Sequence, residues 1–183
     1  MPTHVQQCSD SQQIPLSQKA SASAKSRLRL IHHILHGCQV LPTTARELVL
    51  EHCLREGGIL PSGNVARAPS PAKQLQPRIH LHAIVVMPDH VHLLLRPLRD
   101  EIGWPFPLVD ILQCFKGATA HRINKLLSTS GPVWEEESFD HVLRSDESLR
   151  EKSEYIRENP VKAGLVARPE DYRWLWVEPE LSS

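Results

Sequence analysis

The sequence has no excess of either charge: 21 Lys and Arg residues balance 21 Asp and Glu residues over 183 positions, and the isoelectric point is near 7.2. No global positive field draws such a chain onto a polyanion, so any nucleic-acid surface has to be local. No stretch approaches the ~20 consecutive apolar residues that a membrane span requires, so no membrane partner is expected. No apolar run follows the first charged residues either, which argues against export and makes a cytoplasmic location the expectation. The four cysteines, Cys8, Cys38, Cys53 and Cys114, lie far apart. Without a Cys-x-x-Cys pair, a zinc knuckle and a dithiol redox motif are both excluded, and the thiols read as reduced. Glycine-rich phosphate loops are absent, which removes the usual nucleotide-driven chemistry. Aromatics make up only 5% of the chain, and the four tryptophans, Trp104, Trp134, Trp174 and Trp176, read mostly as core rather than as platforms for unpaired bases.

What is present fits one domain with a tail. Residues 1–26 are rich in Ser, Gln, Ala and Pro and lack periodic hydrophobes, the composition of a disordered leader. Residues 27–35 alternate apolar with basic or His residues and predict a first strand. A helix follows from Pro42, with Thr43 or Thr44 available as cap and Glu47 placed for a capping box, and Gly57-Gly58 stops it. Residues 57–78 contain four prolines and read as a flexible insertion loop. Ile79 to Val86 and His90 to about Arg96 predict two strands joined by the tight turn Met87-Pro88-Asp89, hence antiparallel. Leu108, Leu112, Phe115, Thr119, Ile123 and Leu126 recur at helical spacing. Residues 133–144 predict a fourth strand or hairpin, interrupted by a solvated loop at Glu135-Glu136-Glu137. A last helix is capped by Ser145-Asp146-Glu147, runs through Asn159, and is closed by Pro160 and Gly164. This order is that of an α+β, ferredoxin-like split βαβ domain over residues 27–176, with a mainly antiparallel sheet, helices on one face, and a tail at 177–183.

Two pairs of residues carry chemistry. His90 and His92 flank Val91 and share one face of a strand, because strand side chains alternate. Two neutral imidazoles on one face are either the start of a divalent metal site or a solvent-facing stripe. His80 and His82, on the neighbouring strand, read as surface or supporting residues. Tyr155 and Asn159 lie at i and i+4 on the last helix. Tyrosine is a poor nucleophile unless a cation or base helps it ionise, and a metal beside a scissile phosphate meets that need. Asn159 could offer its amide oxygen to Mg2+ or Mn2+. The competing reading makes Tyr155 a packing residue and Asn159 a cap before Pro160.

The segment Leu81-His82-Ala83-Ile84-Val85-Val86-Met87-Pro88-Asp89-His90-Val91-His92-Leu93-Leu94-Leu95, then Phe139-Asp140-His141-Val142-Leu143-Arg144, then Tyr155-Ile156-Arg157-Glu158-Asn159-Pro160-Val161-Lys162-Ala163-Gly164-Leu165-Val166, resembles the single-tyrosine HUH transposases. Among these, the REP-associated tyrosine transposases of bacteria are the nearest branch. Three motifs in order over residues 27–176 make this far more specific than His-x-His alone. The resemblance implies that His90, His92 and Asn159 hold one divalent metal, Mg2+ or Mn2+, and that Tyr155 is the nucleophile. It implies site-specific cleavage and joining of single-stranded or hairpin DNA through a 5′-phosphotyrosine, by a monomer or homodimer. The alternative is a domesticated hairpin-binding protein that no longer cleaves.

DNA contacts are expected from Lys116, Arg122 and Lys125 on the middle helix and from Arg144, Arg157 and Lys162. For each, a solvated helix face is the competing reading. Four features depart from the family pattern: the neutral charge, the Glu135-Glu136-Glu137 run, the long Pro/Ser insertion and the unusual leader. The first two weaken the expected attraction to phosphate.

Overall fold

The computed structural model describes residues 27–35, 37, 40–59, 77–143 and 146–181. The expected leader, most of the 57–78 insertion, the Ser145 cap and Arg144 lie outside them. The elements run β1 (Arg29–Ile34), α1 (Thr43–Glu56), β2 (Ile79–Val86), β3 (His90–Pro97), α2 (Leu108–Leu127), β4 (Phe139–Val142), α3 (Asp146–Lys162) and β5 (Leu175–Val177). The described strands form one sheet in the order β4-β1-β3-β2-β5, antiparallel at every pairing. The first four strands in that order, with α1 and α2, make the split βαβ arrangement: β3 slots between β1 and β2, the two strands that α1 connects.

The sheet has two greasy faces because β2 and β3 are apolar at nearly every position, the pattern of central strands covered on both sides. One face receives Ile31, Ile84, Val86, Val91, Leu93 and Leu95 against α1 and α2. On the other, Ala83, Val85 and Leu94 pack with Leu28, Leu143, Ile156 and Tyr172. A bulge in β2 sets this division. Leu81 pairs with Leu95 and Ala83 with Leu94, so His82 is an extra residue that reverses the parity of everything after it.

The expectation that the helices share one face holds for α1 and α2 but not for α3, which lies on the opposite face. The reason is that α3 presents a second apolar stripe, centred on the fully buried Ile156, to the side of β2 and β3 that the split βαβ helices leave bare. Between α2 and β4, Trp134 closes the first core; its indole N–H donates to Thr119 Oγ1 at 2.9 Å, and the Thr119 hydroxyl donates to Phe115 O at 2.7 Å.

Three local details also differ from the sequence-based reading. Helix α1 begins after Pro42 with no side-chain cap, because the Pro42 carbonyl already accepts the Ala45 and Arg46 N–H groups at 3.0 Å; Glu47 instead pairs with Arg173 at 3.1 Å. Helix α3 continues through Pro160 to Lys162. Proline removes one N–H but leaves its own carbonyl, which accepts from Leu165 N–H at 2.9 Å. Strand β5 has no counterpart in the sequence reading, since three half-buried residues give no periodicity to detect.

β5 is held by a hook of C-terminal residues. Tyr172 donates its hydroxyl to Val86 O at 2.9 Å and accepts from Arg46 at 3.3 Å, while the Arg46 guanidinium lies 3.7 Å over the Trp174 ring. Tyr172→Phe therefore leaves the Val86 carbonyl without this buried donor and should lower stability by about 1–2 kcal/mol, read as a lower urea midpoint at unchanged slope.

Candidate metal and tyrosine site

On the α3 face of the sheet, three imidazoles converge. Alternation in β3 sends His90 and His92 to that face while Val91 and Leu93 go into the first core. β1 pairs antiparallel with β3 so that His32 sits directly opposite His92 and Ile34 opposite His90. The ring centroids of His32 lie 4.9 Å from those of His90 and 4.4 Å from those of His92. One ligand nitrogen from each of the three falls within 4.8 Å of the others. Its neighbour His33 points the other way, stacked on Phe115 with Ser138 Oγ 2.8 Å from its Nδ1, and belongs to the core.

The electrostatics suit a cation held by neutral nitrogens. Burial, with the neighbouring His32 and His90, pushes the His92 pKa down to about 3. Burial and His90 lower that of His32. Both therefore keep their lone pairs at neutral pH. Nδ1 of His92 and Nε2 of His32 are buried and have no hydrogen-bond partner. Asp89 takes Nδ1 of His90 at 2.7 Å, which leaves Nε2 of that ring for a ligand. Unpartnered, neutral imidazole nitrogens facing one another fit a divalent metal.

Tyr155 stands over this cluster. It projects from α3 with its ring 5.5 Å from that of His92, edge to face, and is 41% exposed. Tyr155, His32 and His92 line one open cavity of about 370 Å³, together with Leu30, Phe139, Asp140, His141 and Lys152. Asn159 does not line it: its amide nitrogen donates to the Tyr155 carbonyl at 2.8 Å, a local bond one helical turn before Pro160 ends regular pairing. The third nitrogen beside His90 and His92 thus comes from His32.

The basic residues singled out from the sequence divide sharply. Lys116 does not reach outward; its ammonium donates to the carbonyls of Glu135 and Glu136 at 2.8 Å and of Glu137 at 3.3 Å. This explains the acidic run, which wraps a lysine through its backbone rather than standing free in solvent. Arg122 and Lys125 are on α2, across the sheet from Tyr155. Arg157 is engaged by Glu154, Glu158 and Glu170. Lys162 sits 5.6 Å from the Tyr155 ring. Lys152, one turn before Tyr155, was not singled out, although the i, i+3 spacing was there to find. His32 escaped as a candidate ligand because strand register, not local sequence, brings it to His92. His80 and His82 are bound to Glu178 at 2.8 and 2.7 Å.

No protein-family model matches the chain. A Haemophilus influenzae protein provisionally named a REP-associated tyrosine transposase is 26% identical over 95 residues, which are 49% of this chain and 54% of that protein. The chain thus spans about half the length of this curated relative. The solved structure of a REP-associated tyrosine transposase bound to a REP hairpin superposes with a TM-score of 0.61 at 18% identity, over 82% of this chain and 76% of that one, and shows a shared fold. The chain is thus similar in sequence, over about half its length, to one protein named a REP-associated tyrosine transposase and similar in fold to another, in line with the resemblance carried by its three ordered motifs.

Because Lys116 holds three main-chain carbonyls, Lys116→Ala should cost about 1–3 kcal/mol of stability, whereas Lys125→Ala on the exposed face should stay within about 0.5 kcal/mol of wild type; chemical denaturation of the two variants separates a structural lysine from a surface one.

Proposed function

We propose that this chain cleaves and rejoins single-stranded DNA at a hairpin-linked site, with Tyr155 as nucleophile and His32, His90 and His92 as the protein ligands of one divalent metal. The observation that carries the reading is the shared face: a half-exposed tyrosine stands 5.5 Å, ring to ring, from His92, above three converging imidazoles, two of which have a buried nitrogen with no hydrogen-bond partner. The relative found bound to a REP hairpin supports the choice of a hairpin substrate for this chain. Asn159 is left out of this ligand set, since its amide is engaged with the Tyr155 carbonyl.

A divalent ion held by these three imidazoles, a transition metal rather than Mg2+ by its nitrogen donors, would neutralise charge on the scissile phosphate. The phenolic oxygen of Tyr155 forms a bond to phosphorus as the bond from phosphorus to the 3′ oxygen breaks. The phenol proton ends on the departing 3′ oxygen, directly or through water, and a 5′-phosphotyrosine remains. Attack by the same or another 3′-hydroxyl reverses the step, expels tyrosine and joins strands with no nucleotide cofactor. Lys152 at the cavity wall and Lys162 beside the ring bring positive charge to a site that the rest of the molecule, neutral overall, does not supply. We place the phosphate-binding surface on these two lysines rather than on Lys116, which is enclosed, or Arg157, which is paired.

Incubation with labelled single-stranded hairpin DNA and Mn2+ should give a covalent adduct that survives denaturing electrophoresis. Tyr155→Phe should abolish the adduct with stability within about 0.5 kcal/mol of wild type, because the hydroxyl is at the surface. His32→Ala should reduce adduct yield as severely as His92→Ala, at least tenfold. Hairpin binding with no adduct from the intact chain would favour a domesticated binding protein, and an adduct persisting in Tyr155→Phe would reject the assignment of the nucleophile.

A further inference from the structure

We propose that His80, His82 and Glu178 form a second metal site, for Zn2+ or a similar borderline transition-metal ion, that fastens the C-terminal segment to the edge of the sheet. One nitrogen of each imidazole and one carboxylate oxygen lie within 4.8 Å of one another. The two rings are 4.3 Å apart, and the carboxylate bridges them, one oxygen to each: Oε1 to His80 Nε2 at 2.8 Å and Oε2 to His82 Nδ1 at 2.7 Å. Tetrahedral zinc with bonds near 2.0–2.1 Å wants its ligand atoms roughly 3.3 Å apart. The two short N···O contacts, 2.8 and 2.7 Å, would open by about half an ångström to admit an ion in place of the shared protons, with every donor already within 4.8 Å of the others.

The backbone prearranges all three donors. His80 and His82 share a strand face, and the bulge at His82 fixes the turn of β2 that carries them. β5 pairs Ala83 with Val177 and Ile84 with Trp176, and the next residue, Glu178, donates its N–H to the His82 carbonyl at 2.9 Å. A carboxylate one residue beyond a strand would otherwise swing freely; here the main chain aims it. His82 is nearly enclosed while His80 is half open to solvent, which leaves one side for a fourth, water ligand.

The donor set selects the ion. Two imidazoles and one carboxylate suit zinc and its neighbours rather than Mg2+ or Ca2+, which prefer oxygen shells. Arg96, opposite His80 on β3, adds positive charge that the Glu178 carboxylate has to offset for any cation. The site shares no donor with the His32, His90 and His92 cluster. It lies four residues along β3 from His92, roughly 13 Å at strand spacing.

The test is zinc titration of the metal-stripped full chain in competition with a chromophoric chelator. Wild type should take two equivalents; His80→Ala, Glu178→Gln and His92→Ala should each lose one, and His80→Ala combined with His92→Ala should lose both. His80 is a surface residue, so its alanine variant keeps the fold. Amide exchange across residues 175–181 should slow on adding zinc in wild type and in His92→Ala, and should not respond in His80→Ala. A single equivalent in wild type that His92→Ala removes, or a second equivalent that survives both His80→Ala and Glu178→Gln, overturns the proposal and leaves the trio as an ionic strap.

Discussion

Antiparallel pairing of β1 with β3, in the register that sets His32 opposite His92, is the constraint on which the candidate site depends. Because side chains alternate, the same register that brings His32 to the α3 face sends Ile31, His33 and Leu35 to the other, against α1 and α2. A slip of one residue in β1 would exchange Ile31, His33 and Leu35 for Leu30, His32 and Ile34 and take His32 away from His92. The hydrophobic core thus helps to place the imidazoles: Ile31, Val91 and Leu93 are almost fully buried, and a one-residue slip of either strand would turn its residues out of the first core. The chemistry of one face is specified by the packing of the other.

That arrangement has a cost carried in the folded chain. Nδ1 of His92 and Nε2 of His32 are buried without partners, and each such group disfavours the fold by about 1–3 kcal/mol relative to a paired one. Mutual repulsion and burial hold both rings neutral, so the cluster does not relieve itself by taking protons near neutrality. A group of neutral, unpaired donors gathered at the mouth of an open cavity is stable only because two cores flank it, one under the sheet and one around Ile156 and Tyr172. Destabilised local chemistry sustained by surrounding packing is a common mark of a working site.

Much of this was legible in the sequence. Strand β2 reads correctly from Ile79 to Val86, and β3 from His90, because apolar runs bounded by Pro-Asp leave little choice. The stripe from Leu108 to Leu126 gave α2 within one residue. The α+β antiparallel architecture followed from element order, and the relation to REP-associated tyrosine transposases from three motifs in series. What escaped was long-range. His32 is 60 positions from His92 in the chain, and only sheet register joins them. Lys116 looked like a surface cation because a helical wheel cannot foresee a loop that wraps it with carbonyls. β5 is three residues long and owes its existence to the edge of β2, and the placement of α3 on the second face depended on that face being left bare.

Tyr155 is aimed by its neighbours rather than by bonds of its own. Ser153 and Ile156 point inward and are almost fully buried, so the helix can rotate little about its axis, and Tyr155 is left at the boundary where α3 meets the cavity. One turn later Pro160 withdraws the N–H that would bond the Ile156 carbonyl, and Asn159 adds a side-chain donor to the carbonyl of Tyr155 itself. The tyrosine therefore sits on the last turn of well-paired helix before a stretch whose ladder is incomplete. The anchor at Ser153 and Ile156 therefore fixes the helix face that carries Tyr155, and with it the placement of the ring against His92. Weaker burial at Ile156 would free the helix to turn about its axis and let the ring drift from His92, so the packing of one residue on the second core sets the aim of its neighbour.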